Sequence, residues 1–274
     1  NNNLEFDLRN KVLGLIFDKS STRTRVSFQV AMSRLGGTTI DINPSTSQIG
    51  RGEPIKDTAR VLSRYCDALA IRTFNQSDLE EYSKWFVKPV INALTDKEHP
   101  CQALADFLTI KEEFHDFKDL VLTFVGDGNN VANSIIFCGA ILGVEVRIAC
   151  PKGYEPCASV IEQAIEINKN EQLLKIFNDP QEAVKGANIL YTDVWASMGE
   201  ENLKEKKDRD FLGFTLDCNL LDKAAGNVIV LHCLPAYRGK EISEEVFESS
   251  RNRIFEQAEN RLHVQQALLA LLLS

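Results

Sequence analysis

The chain has no apolar stretch long enough to cross a membrane as a helix. Its densest C-terminal run, Leu268 to Leu273, falls far short of the ~20 residues a span needs. There is no CxxC pair, and the four histidines (His99, His115, His232, His263) never fall at HxH or HxxxH spacing. A metal site is therefore not expected. The cysteines number seven, an odd count. That favours reduced thiols in a cytosol-like, cytoplasmic setting over a disulfide scaffold. Basic residues are short: 31 Lys+Arg against 39 Asp+Glu give a formal charge of −8. This argues against broad nucleic-acid binding but leaves room for a local basic site that takes a small anion. Sequence repeats, low-complexity tracts and a signal peptide are also missing, and the chain starts with Asn rather than Met and is read as incomplete. What is present, 274 residues with 44% hydrophobic and 26% charged, suits a globular protein of one large or two ordinary domains.

Hydrophobic patterning predicts strands at 11–17, 38–42, 68–71 and 90–93, alternating with helices at 26–35, 56–66 and 77–86. A long helix at 100–114 leads to a second series. Strands fall at 120–125, 144–149, 174–177, 189–192 and 228–231, with helices at 129–142, 159–168, 180–184 and 262–273. Pro44 to Pro54 is a polar loop, and Glu200 to Asp210 reads as a mobile one. This order predicts an α/β fold of two similar domains, each a parallel sheet flanked by helices, joined near 110–118. Ligands of such sheets sit at the carboxyl ends of strands. Ser21, Arg72, Asp127, Asp193 and Cys233 each follow a predicted strand.

Three segments far apart in the chain suit a small phosphorylated carbonyl compound. Ser20-Ser21-Thr22-Arg23-Thr24-Arg25 joins a strand to a helix and offers hydroxyls, N–H groups and guanidinia to a phosphate. The plainer reading is a hydroxyl helix cap followed by solvated arginines. The segment is not a Gly-rich Walker loop, so a nucleoside triphosphate is not implied. His99-Pro100-Cys101-Gln102 starts a helix with Pro at its first position. His99 there suits polarising a carbonyl oxygen and Gln102 suits holding an amide NH2, or the two simply cap the helix. In His232-Cys233-Leu234-Pro235, Cys233 is by default a buried thiol. Arg72 either lies on the surface or points into a strand-end cleft. Gly126-Asp127-Gly128-Asn129-Asn130 invites a dinucleotide reading, but the third fingerprint glycine is replaced by Val131 and the next strand ends without an acid. A tight turn that aims Asn130 at a ligand is preferred. Asp193, ahead of Ser197-Met198-Gly199, suits an α-ammonium group or a helix cap.

In this combination and order the chain resembles the aspartate/ornithine carbamoyltransferase family over essentially its whole length. Ser-Thr-Arg-Thr-Arg and His-Pro-x-Gln are marks of the family. Asp193-x-x-x-Ser197-Met198-Gly199 and His232-Cys233-Leu234-Pro235 resemble its ornithine branch, the aspartate branch carrying Pro-Leu-Pro in place of Cys-Leu-Pro. The resemblance implies a carbamoyl phosphate-binding domain (1–112), an ornithine-binding domain (113–256) and a C-terminal helix (257–274) packing back on the first. It implies an active site in the interdomain cleft, no cofactor, and a further N-terminal helix that is missing or incomplete here.

Carried over by position, the resemblance places Ser21, Thr22, Arg23 and Thr24 on the phosphate, and Arg72 on phosphate and carbonyl oxygen. His99 and Arg261 go to the carbonyl group and Gln102 to the carbamoyl nitrogen. Asn130, Asp193, Ser197 and Met198 clasp the α-groups of ornithine. Cys233 and Leu234 lie beside the reacting amine, with Leu234-Pro235 cis. Gln48 reaches the neighbouring site of a homotrimer. The implied reaction is carbamoyl transfer from carbamoyl phosphate to L-ornithine, a step of arginine biosynthesis or urea-cycle type. The alternatives are another acceptor (putrescine, N-acetylornithine or aspartate), an oxidoreductase built on the Gly126 turn, or a non-catalytic relative.

Overall fold

The computed structural model describes residues 6–18, 21–197 and 199–274. The chain divides into two compact units, one formed by residues 1–101 with 259–274 and the other by residues 102–258. In the first, strands β1 (Val12–Phe17), β2 (Thr38–Ile42), β3 (Ala68–Arg72) and β4 (Val90–Leu94) alternate with helices α1 (Thr22–Arg34), α2 (Ile55–Leu62) and α3 (Gln76–Trp85). All pairings are parallel, in the order β2-β1-β3-β4. Central β1 and β3 are near-continuous apolar runs because helices cover both faces, whereas edge strand β2 is largely exposed. Alternation divides β1 between two cores. Leu13, Leu15 and Phe17 meet Phe28 and Met32 of α1 and Leu269, Ala270 and Leu273 of the C-terminal helix. Ile16 meets Leu79, Tyr82 and Phe86.

In the second unit, α4 (Pro100–Phe114) leads into β5 (Val121–Val125), α5 (Asn130–Leu142), β6 (Glu145–Ala149), α6 (Ala158–Asn168), β7 (Leu174–Phe177), α7 (Pro180–Ala183) and β8 (Ile189–Thr192). Then come α8 (Lys204–Asp210), α9 (Cys218–Leu221), β9 (Ile229–His232) and α10 (Glu244–Phe247); α11 (Ile254–Leu273) begins in this unit and from residue 259 belongs to the first. The sheet is again parallel, ordered β7-β6-β5-β8-β9. Among the described residues no helix is long and apolar enough to cross a membrane.

Each sheet reverses its winding once. In the first, the chain moves outward from β1 to β2, then returns to β3 on the other side of β1. In the second, the same reversal lies between β5 and β8. Such switch points leave a crevice at the strands' carboxyl ends. The start of α1 and Arg72 flank one, and the 126–130 turn and Asp193 flank the other.

Two expectations are corrected. The 200–210 segment is not an irregular loop: it holds a short 3-10 turn (Glu201–Leu203) and then α8. The C-terminal helix begins at Ile254, two turns before the apolar pattern becomes evident.

Candidate active site

In the first unit, α1 starts directly at the switch point. Ser21 is the N-cap in an extended conformation and makes no side-chain capping bond, so the hydroxyl is not used to close the helix start. Thr22 and Arg23 are exposed. Arg25 turns away to Asp41 (3.2 Å) and lies over the Phe17 ring. Thr24 is buried, and its Oγ1 accepts a hydrogen bond from Arg261 Nη2 at 2.5 Å. An accepting hydroxyl still has its own proton to give. Arg261 Nη1 also lies 3.5 Å from His99 Nε2. Arg72 ends β3, beside a register shift against β4, and is 5% exposed. Irregularities of this kind re-aim a side chain at a strand end.

Burial, then the nearby guanidinia of Arg261, Arg72 and Arg23, hold His99 well below the usual histidine range. His99 is therefore a neutral imidazole at pH 7. A guanidinium only donates, so the Nε2 facing Arg261 acts as acceptor and the proton sits on Nδ1. The cluster thus gathers three arginines and a neutral imidazole, a composition suited to an anion with an attached carbonyl. Gln48 is exposed, at the start of a 3-10 turn (Ile49–Arg51).

In the second unit, Asp193 follows β8 and is 6% exposed. Its Oδ1 accepts from Cys233 Sγ (2.9 Å) and from the Val194 N–H (2.8 Å), and its Oδ2 accepts from Asn129 Nδ2 (3.0 Å). Asn129 also caps α5, its Oδ1 accepting from the Val131 and Ala132 N–H groups. The 126–130 turn is so tight that a Cβ on Gly128 would lie 2.4 Å from Pro156 N. This glycine serves the chain's own backbone, and the turn is that of a capped helix. The neighbouring Asn130 begins α5, half-buried.

Cys233 and Leu234 follow β9. Leu234 has φ of 57° and is joined to Pro235 by a cis bond, as expected. The Leu234 N–H donates to His232 Nδ1 (2.9 Å), so the His232 proton is on Nε2, 3.1 Å from Glu241 Oε1. Asp193, His232 and Cys233 offer atoms within 4.8 Å of one another, a possible metal cluster. Both ring nitrogens and the thiol already have protein partners, so these residues are satisfied without an ion. Behind them lies a buried chain. The His232 N–H donates to Gln257 Oε1 (2.9 Å), and Gln257 Nε2 donates to Asp106 Oδ1 (2.6 Å) and to Tyr191 Oη (3.1 Å). Gln102, two residues into α4, donates from Nε2 to the same Asp106 oxygen (2.7 Å).

The segment after Asp193 is anchored at both ends. Trp195 is buried and stacks on Phe211 (5.6 Å between ring centres). The Ser197 N–H donates to Glu200 Oε2 (2.9 Å), which lies 2.6 Å from Lys207 Nζ of α8. Lys207 is 3% exposed and reaches Asp127 Oδ2, also at 2.6 Å. Burial alone would lower the Lys207 pKa, but its bonds to two carboxylates outweigh this and hold it above the usual lysine value. Burial raises Asp127, and the ammonium only partly offsets it.

The structure therefore brings Thr24, His99 and Arg261 together in one unit, and Asp193 and Cys233 in the other. Met198 lies outside the described residues, as does Ser20. The sequence reading did not single out Asn129, Asp106, Gln257, Glu241 or Lys207. For Asn129 a signal existed in its place just before α5, while the others are joined to the site only by the fold.

Residues 1–112 match the model for the aspartate/ornithine carbamoyltransferase carbamoyl-P binding domain, and residues 118–272 that for the Asp/Orn binding domain. The chain is 77% identical, over 274 residues, to an ornithine carbamoyltransferase of Prochlorococcus marinus strain MIT 9312, covering 100% of this chain and 89% of that one. Among solved structures, ornithine carbamoyltransferase from Pyrococcus furiosus is 46% identical with a TM-score of 0.93, covering 97% of this chain and 85% of that chain. The one from Gloeobacter violaceus is 50% identical with a TM-score of 0.87, covering 98% and 88%. On these matches, the chain belongs to the aspartate/ornithine carbamoyltransferase family.

Proposed function

We infer that this protein is an ornithine carbamoyltransferase: it transfers the carbamoyl group of carbamoyl phosphate to the δ-amine of L-ornithine, giving L-citrulline and phosphate. The observation that carries this reading is the presence, in one chain, of two complementary groups of residues. One is a cluster of Arg72, His99 and Arg261 with Thr24. The other is a carboxylate, Asp193, hydrogen-bonded to the Cys233 thiol.

In this mechanism Ser21, Thr22, Arg23 and Thr24 take the phosphate. Arg72, Arg261 and neutral His99 face the carbonyl oxygen. The uncharged δ-amine attacks the carbonyl carbon, a C–N bond forms, and negative charge builds on the oxygen, where these donors lower the barrier. The C–O bond to phosphorus-bound oxygen then breaks, and phosphate leaves with the electron pair and accepts the amine proton. His99 adds a donor without adding charge to a cluster already rich in cations. Gln102 accepts from the carbamoyl NH2, and the Leu234 carbonyl lies beside the reacting amine. Asp193, Asn130, Ser197 and Met198 hold the α-ammonium and α-carboxylate, and Cys233 lies beside the δ-amine. An alkyl ammonium has a pKa near 10, as in lysine, so turnover rises from neutral to alkaline pH. The exposed Gln48 serves the site of a neighbouring copy in a trimer.

The deciding experiment is citrulline formation from carbamoyl phosphate and L-ornithine, with aspartate, putrescine and N-acetylornithine in parallel. Turnover with ornithine alone is expected. Turnover with another amine instead would retain the phosphate assignment and discard that of Asp193 and Ser197.

A further inference from the structure

Gln102, Asp106 and Gln257 are 1%, 0% and 0% exposed and form a hydrogen-bonded chain inside the second unit. A carboxylate accepts hydrogen bonds and does not give them. Both glutamine amides must therefore turn their NH2 ends toward Asp106. Gln257 supplies an independent check. Its other end meets the His232 N–H at 2.9 Å, a donor, so that end is the carbonyl oxygen. The polarity of the whole chain is consistent only with Asp106 as the common acceptor. The outer end of Gln102 is then also a carbonyl oxygen, a group that can receive an N–H and cannot offer one. Through Gln257 the same carboxylate anchors the strand end that carries Cys233 and Leu234.

We propose that Asp106 is the positioning residue through which the site distinguishes an acyl phosphate bearing NH2 from one bearing CH3. Asp106 touches no substrate. It fixes the Gln102 amide in the orientation that accepts from NH2, and it removes the flipped orientation that would present a donor. This rests on the reading of Gln102 as the carbamoyl-nitrogen ligand. Specificity arises because the acceptor left facing CH3 loses a hydrogen bond on desolvation, while the NH2 compound keeps it.

The test compares wild type, Asp106→Asn, Asp106→Leu and Gln102→Leu. Preference is measured as the inhibition constant of acetyl phosphate divided by KM for carbamoyl phosphate, with the inhibition constant of inorganic phosphate as control. Asp106→Asn keeps a weaker, uncharged acceptor and should lower the preference about five-fold. Asp106→Leu should lower it on the order of 10- to 100-fold, to the level of Gln102→Leu. Adding Asp106→Leu to Gln102→Leu should change the preference no further. Inorganic phosphate should inhibit all variants as it does wild type. If Asp106→Leu does not fold, the Asn variant decides. An unchanged preference in that variant, or equal weakening of inorganic phosphate and carbamoyl phosphate, overturns the proposal. Loss of preference in Asp106→Leu beyond that of Gln102→Leu would also overturn it. Absence of citrulline formation by wild type would instead reject the functional reading itself.

Discussion

His99 pays in stability for being neutral. Its pKa in the folded protein lies below that of an unfolded histidine, first because of burial and then because of Arg261, Arg72 and Arg23. The unfolded chain therefore binds the proton more readily. The stability this contributes is fully present above about pH 6.5 and is lost as pH falls below it, by up to about 1.4 kcal/mol per pH unit. Urea midpoints measured from pH 8 to pH 5 should show this slope in wild type and a flatter one in His99→Asn. Asp193→Asn should raise KM for ornithine on the order of 10- to 100-fold, the loss of a charge-assisted bond, while inhibition by inorganic phosphate stays within about two-fold of wild type. Steady-state kinetics at saturating carbamoyl phosphate separates the two effects. Residues such as Thr24, Arg72, His99 and Asp193 were legible because chemistry and place at a strand or helix end are both local. At the Asn129-Asn130 pair the sequence singled out Asn130 and passed over Asn129. Both residues are amides at the same turn, and Asn129 is the helix cap, which also reaches Asp193. Asp106 and Gln257 lie 151 residues apart, and nothing in the sequence connects them.

At the scale of elements, strands were legible where burial on both faces produces unbroken apolar runs, as in β1, β3 and β8. Helix α8 was hidden for the opposite reason. Its sequence, Lys204 to Asp210, has no apolar periodicity, and the residue it buries is Lys207. A buried ion pair mimics a solvated loop in composition. Replacing Lys207 by Met would leave Asp127 and Glu200 without their shared cation. The expected cost is about 3 kcal/mol, the low end for a broken buried pair, because Glu200 is 35% exposed. Thermal melts would check the stability. KM for ornithine should rise as well, since Glu200 holds the Ser197 N–H. A melt that matched wild type would show that the triad carries no net stability.

For the whole molecule, the second unit is one continuous stretch, residues 102–258, whereas the first is assembled from residues 1–101 and 259–274. Leu269, Ala270 and Leu273 fill the same core as Leu13, Leu15 and Phe28. A fragment of residues 100–258 should therefore unfold cooperatively on heating, while a fragment of residues 1–101 should not, as followed by far-UV circular dichroism. The apolar periodicity announced two sheets; the return of residues 257–274 to the first was expected only from the family resemblance, because contact between distant core residues leaves no mark on local pattern.

The interleaving also sets an order in time. On the ribosome the second unit has all of its chain before the first has its own, although the first begins earlier. Until residues 259–274 emerge, the nascent first unit lacks both the side chains that close its core and Arg261, the partner of Thr24 and His99. The cluster of Thr24, His99 and Arg261 is thus completed only after the whole second unit has been translated, and a chain that stalls before residue 259 should carry a folded second unit beside an unfinished first.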